Sequence, residues 1–186
     1  MEHPCIARLL LLFTFMRNLF LSLLFCILTC QLFAQKTEDM YVMRLSQEGS
    51  LFFIRPNTLN GTTNKANLQF DITHLNSTDT ASIKMTTYEN TLLNIDSVAL
   101  LAGDSRYVCN AVIPIYKEKE NKSWVHRSDC VFPYRAVKEI MISEEAPTVM
   151  VYTDKGTSSY TLAASKWKNL RTHMLEIFMI IDYSKR

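Results

Sequence analysis

Beyond its first 35 residues the chain has three histidines, His74, His126 and His173, and two cysteines, Cys109 and Cys130. These are the side chains able to hold a metal or attack an electrophile. A zinc site brings several such ligands together, often with two at short spacing. Here each histidine falls in a different expected element, with no second ligand at that spacing. Hydrolysis by paired carboxylates needs only two acids at the right separation. Glu144 and Glu145 are adjacent, so on a helix they point about 100° apart, and Asp71 falls on the solvent face of a strand. All three read as surface charge. The sequence has no Gly-x-Ser-x-Gly elbow, no phosphate-binding glycine loop and no His-Glu-x-x-His. No catalytic residue, no metal site and no cofactor is expected.

The elements that must position these groups are mostly strands. Asp39–Leu45 and Ser50–Arg55 flank Ser46-Gln47-Glu48-Gly49, a hairpin signal. A polar loop over 57–67 follows. Leu68, Phe70 and Ile72 alternate with polar residues and share one face of the next strand, and Ile83, Met85 and Thr87 continue the pattern after a turn at 76–79. Ile95–Leu101 is a further strand, turned by Gly103-Asp104-Ser105. Arg106–Lys117 and Lys122–Cys130 are expected to pair over the turn Glu118–Asn121, with Pro114 on an edge or at a bulge. Val149–Tyr152 and Ser158–Leu162 form a hairpin closed by Asp154-Lys155-Gly156.

Two helices are expected. Tyr134–Glu145 carries Val137, Ile140 and Met141 at helical spacing. In 164–182, Trp167, Leu170, Met174, Ile177, Phe178 and Ile181 form one apolar stripe, with Ser165 in the N-cap region. Such a stripe is buried against another layer, here a sheet face. The expected fold is mainly β (or α+β). It is a β-sandwich or curved antiparallel sheet, with one short helix and a long C-terminal amphipathic helix packed on it.

Residues 1–35 read as a signal peptide. Arg17 precedes the apolar run 19–28, and Ala34 supplies the small residue before a cut. Met16 reads as the true start. The alternative is an N-terminal membrane anchor over 9–34, long enough to span a bilayer, with Arg8 and Arg17 keeping the rest outside. Lipidation at Cys30 ranks lower, because Thr29 stands where such sites have a smaller residue. Residues 36–186 then form a single β-rich domain, exported to the periplasm or cell surface.

Cleavage would leave Cys109 and Cys130 in an oxidising compartment that permits a disulfide. In the expected hairpin register Lys117 faces Lys122 and Cys109 faces Cys130. Opposed positions place Cβ atoms about 4.5–5.5 Å apart, close enough to bridge. Closing that loop would contribute about 3 kcal/mol in the chain-entropy account.

A leader ending Leu32-Phe33-Ala34-Gln35 resembles those of exported β-rich proteins of Bacteroidetes-type bacteria. Asp79-Thr80-Ala81 and Asp96-Ser97-Val98 are similar to the O-glycosylation tripeptides of those bacteria. The resemblance implies glycans on Thr80 and Ser97, and no activity. Asn60, Asn76 and Asn121 also stand in N-glycosylation patterns, which carry no weight in a bacterial chain.

The formal net charge of +2 gives no strong field toward nucleic acid, so no nucleic-acid partner is expected. A membrane contact is expected only through an uncleaved leader. Aromatic side chains on strands suggest a stacking surface, and Tyr152 and Tyr160 on the last hairpin are the candidate face. In the expected register Tyr160 faces Met150 and Tyr152 faces Ser158. The leading functional expectation is a non-catalytic binding or structural module of the cell envelope, with a protein or glycan partner. The alternatives are a small envelope hydrolase with an unmotifed carboxylate site and an apolar-ligand carrier.

Overall fold

The computed structural model describes residues 37–55, 58–62 and 67–185, together with Met16, Asn18 and Phe20, which are helical. The rest of the leader, with Ala34, Cys5, Cys26 and Cys30, lies outside the described residues. The chain divides into two compact units, Met1–Asp39 and Met40–Arg186.

The second unit is mainly β. Its strands are β1 (Tyr41–Ser46), β2 (Gly49–Ile54), β3 (Leu59–Gly61), β4 (Asn67–Leu75), β5 (Thr80–Glu89), β6 (Ile95–Ala102), β7 (Ser105–Cys109), β8 (Ile113–Glu120), β9 (Ser123–Pro133), β10 (Thr148–Thr153) and β11 (Gly156–Thr161). Two helices, α1 (Tyr134–Ile142) and α2 (Ala164–Ser184), complete it. The strands make one antiparallel sheet along the path β7-β6-β10-β11-β3-β4-β5-β9-β8. One edge of β4 is shared. Its start pairs with β3 through Leu68 and Leu59, and its end pairs with β2 from Ile72 to Leu75. The sheet is not closed into a barrel, yet its two ends curl together and β7 touches β9.

Alternation decides which face is covered. Leu68, Phe70 and Ile72 of β4, Ile83 and Met85 of β5, Val98 and Leu100 of β6, and Cys130 and Phe132 of β9 are all buried in one core. The helices pack onto that face, with Trp167, Leu170, Met174, Ile177, Phe178 and Ile181 of α2 all buried. Each large side chain so buried contributes about 1.5–3 kcal/mol.

α1 and α2 run antiparallel and are joined at both ends. The last carbonyls of a helix have no partner within it. Arg171 Nε donates to the Ile142 carbonyl at 2.8 Å, and Trp167 Nε1 to the Ser143 carbonyl at 3.0 Å. These bonds stop α1 three residues short of the expected Glu145. At the other end Tyr134 Oη donates to Asp182 Oδ1 at 2.8 Å, and Lys138 pairs with the same carboxylate. The N-cap of α2 is Ala163, without a side-chain hydrogen bond, rather than Ser165.

Two hairpins close more tightly than expected, which changes their registers. β8 and β9 turn at Asn121-Lys122, with Glu120 opposite Ser123 and Asn121 at φ 53°. Asparagine accepts that positive φ in a two-residue turn. Lys117 therefore faces His126, not Lys122. Pro114 lies on the edge strand beside a register shift between Pro114 and Tyr116, as its missing N–H requires. In the last hairpin Thr153 faces Gly156, so Tyr160 faces Val149 and Tyr152 faces Thr157.

Candidate functional site

The solvent face of β1, β2, β4, β5 and β9 holds an open cleft of about 520 Å3. Val42 and Phe53 are opposed on β1 and β2 and make its apolar wall. Arg44, Arg55, Lys84 and Arg127 line it, with Asp71 the one acid among the described residues of its lining. Strand alternation explains the set, because Asp71, Lys84 and Arg127 occupy the outward positions between core residues.

Arg127 reaches across β5 to Asp71 on β4. Its Nη2 lies 2.7 Å from Oδ2 and 3.1 Å from Oδ1, and its Nη1 donates to Thr86 Oγ1 at 2.8 Å. That pair neutralises itself. Arg44, Arg55 and Lys84 have no carboxylate partner among the described residues. The Arg44 guanidinium stands 5.9 Å from the Phe53 ring centroid, within cation–π range. The cleft thus offers three cations that make no ion pair among the described residues, beside one aromatic face. Its size falls in the usual range for ligand pockets, about 300–1,000 Å3.

The side chains singled out from sequence are dispersed. Cys109 ends β7 opposite Val98 of β6, not on the β8–β9 hairpin. Curvature nevertheless brings it beside Cys130 of β9. Both are buried free thiols here, with no disulfide between them. Burial, and next the neighbouring Cys109, push the Cys130 thiol well above its ordinary value.

Tyr152 and Tyr160 do not share a face. Tyr160 is 1% exposed, and its hydroxyl donates to Glu89 at 2.7 Å. Tyr152 lies half-buried on the opposite side, accepting from Arg106 Nη2 at 3.2 Å. The one-residue difference in register exchanges the faces. Thr80 is exposed at the start of β5, and Ser97 is half-buried within β6 opposite Tyr152.

Asp71 is bound by Arg127, and Asp129, two strands away, accepts from Ser82. His74 and His126 are buried in separate places. Among the described residues no three His, Cys, Asp or Glu side chains converge as a metal site. The cationic cleft was missed in sequence because its members come from strands far apart in the chain. Arg127 and Asp71 are 56 residues apart.

No protein-family model matches this chain, and no curated protein or solved structure does so either.

Proposed function

We propose that this chain is an exported, non-catalytic binding module of the bacterial envelope, and that the cationic cleft on its outer face binds an acidic glycan. The observation that carries the reading is the set of Arg44, Arg55 and Lys84, none of them in an ion pair among the described residues, beside Phe53. Carboxylates of a uronic-acid polymer would pair with those cations, and a sugar face would stack on the ring. The leader supports export, and glycans on Thr80 and Ser97 are part of the same proposal.

Binding is favoured over hydrolysis by how the acids are used. Asp71 and Asp129 both serve as acceptors in fixed hydrogen bonds, whereas a glycosidase needs one carboxyl group to donate a proton. Trp167 and Phe178 are buried in the core, which disfavours an apolar carrier pocket beneath α2.

The test is calorimetric titration with polygalacturonate oligomers, using neutral glucan oligomers as the control. Saturable binding that weakens with salt, and falls at least tenfold in an Arg44→Ala/Lys84→Ala double variant, is expected. Equal binding of the neutral oligomers, or no binding of either, would overturn the reading.

A further inference from the structure

The ladders place four charged residues in one row across the outer face. Asp71 of β4 lies opposite Lys84 of β5, and Lys84 opposite Asp129 of β9. The β2–β4 ladder ends at Ile54 opposite Ile72, and Arg55 and Asp71 are the next residues beyond that pair. All four alternate with buried residues and so stand on the solvent side. From β2 to β9 the row therefore runs cation, acid, cation, acid. Neighbouring strands lie about 4.8 Å apart, so like charges recur about every 9.6 Å.

Opposite charges on adjacent strands stabilise a sheet where they meet. In this row they do not. The Asp71 carboxylate is taken by Arg127, from the next row, and Asp129 accepts from Ser82. Arg55 and Lys84 make no ion pair among the described residues, and both line the cleft. The acids are held by other partners, and the cations beside them face an incoming ligand.

Asp71 still has acceptor capacity. Its side chain is 33% exposed. A carboxylate has about four acceptor positions on its two oxygens, and Arg127 Nη2 takes one on each. A sugar hydroxyl can donate to the remainder, whereas a second carboxylate there is repelled. The neighbouring row carries no charge. Val42 lies opposite Phe53, Phe53 opposite Thr73, and Thr73 opposite Ser82. An extended glycan crossing the strands between the two rows rests a sugar face on Phe53 and turns its acidic groups toward the charged row.

We propose that the cleft selects a glycan in which acidic and neutral sugars alternate. Carboxylates one disaccharide apart pair with Arg55 and Lys84, whose two-strand separation approximates that length, and the neutral sugar between them donates a hydroxyl to Asp71. A uronic acid at every position sets a carboxylate against Asp71. The inference rests on the acidic-glycan reading above and adds its repeat.

Calorimetric titration of the full chain compares two octasaccharides at equal ionic strength. Hyaluronan has one carboxylate per disaccharide, and oligogalacturonate has one per sugar. Both should bind, with hyaluronan about fivefold tighter although it carries half the charge. Asp71→Asn should tighten oligogalacturonate and reduce that preference to less than about twofold. Lys84→Gln breaks the spaced pair and should weaken hyaluronan about fivefold and oligogalacturonate less; it keeps the test open if the first variant misfolds. Oligogalacturonate binding as tightly as hyaluronan, or a preference that a folded variant leaves unchanged, would overturn the alternating repeat while the acidic-glycan reading stands. Binding of neither would overturn both.

Discussion

The imidazole of His74 lies flat on the phenol of Tyr134, with centroids 4.0 Å apart and planes 17° from parallel. The stack joins β4 to the first residue of α1, and Tyr134 in turn bonds Asp182 of α2. His74 Nδ1 donates to the Thr80 carbonyl at 2.8 Å, so in the neutral ring Nε2 is the deprotonated nitrogen, and it is buried without a hydrogen-bond partner among the described residues. Three elements therefore meet on an uncharged histidine.

Acid should loosen this junction. Burial is the largest cause lowering the His74 pKa, with Lys185 adding to it and the Thr80 carbonyl, Asp182 and Asp79 opposing. His126 is also lowered, by burial and then Lys117, against Glu89. The unfolded chain then binds protons that the folded chain refuses. Stability is complete above about pH 6.5, the ordinary histidine value, and declines as pH falls through the lowered folded values. Urea midpoints at pH 7.5, 6.0 and 5.0 should fall in that order, and the decline should be shallower in His74→Phe.

Gly49 should tolerate no side chain. It sits at φ 136°, and a Cβ there would collide with Asn76 Oδ1. That oxygen accepts from the Ser50 N–H at 2.9 Å, while Asn76 Nδ2 donates to the Ser184 carbonyl at 2.9 Å. Gly49→Ala adds this collision to a backbone strain of about 1–3 kcal/mol. Gly156, at φ 129° with nothing within 4 Å, isolates the strain alone. Thermal melts should place Gly49→Ala clearly below Gly156→Ala.

Trp167 should separate packing from hydrogen bonding. Trp167→Ala opens the core under α2 and should cost about 3–5 kcal/mol. Trp167→Phe keeps much of the contact and loses chiefly the bond to the Ser143 carbonyl, about 1 kcal/mol. Denaturant curves for both variants measure the difference.

Cys130 should be inert as a thiol, and the pair able to form a bridge during oxidative folding. With its pKa raised, Cys130 presents little thiolate, the reactive form. Iodoacetamide at pH 8 should leave it unmodified until the chain is unfolded. Protein recovered from an oxidising compartment should gain two hydrogens on reduction, by intact mass. An unchanged mass there would show that burial keeps the pair reduced.

Much of the local structure was legible in the sequence. The alternation of Leu68, Phe70 and Ile72 marks a strand and its covered face, and the stripe from Trp167 to Ile181 marks a buried helix. Both patterns are repeats of the backbone's own geometry, so neighbouring residues suffice to reveal them. The ends of these elements were less legible. α1 stops at Ile142 because Arg171 and Trp167, more than twenty residues onward, take its terminal carbonyls.

Register and closure belonged to the tertiary structure. The Asn121-Lys122 and Asp154-Lys155 turns are two residues long, and that length, not composition, decides that Tyr160 enters the core while Tyr152 stays outside. Cys109 and Cys130 were paired from sequence through the wrong hairpin. They meet because the whole sheet curls until β7 reaches β9. The polar residues His126 and Ser128 share the inward side of β9 with Cys130 and Phe132, a break in the apolar alternation that is visible in the sequence. Chain order alone determined the strands and helices; the folded sheet decided which polar groups face one another, because those distances depend on twist and packing summed over every strand between them.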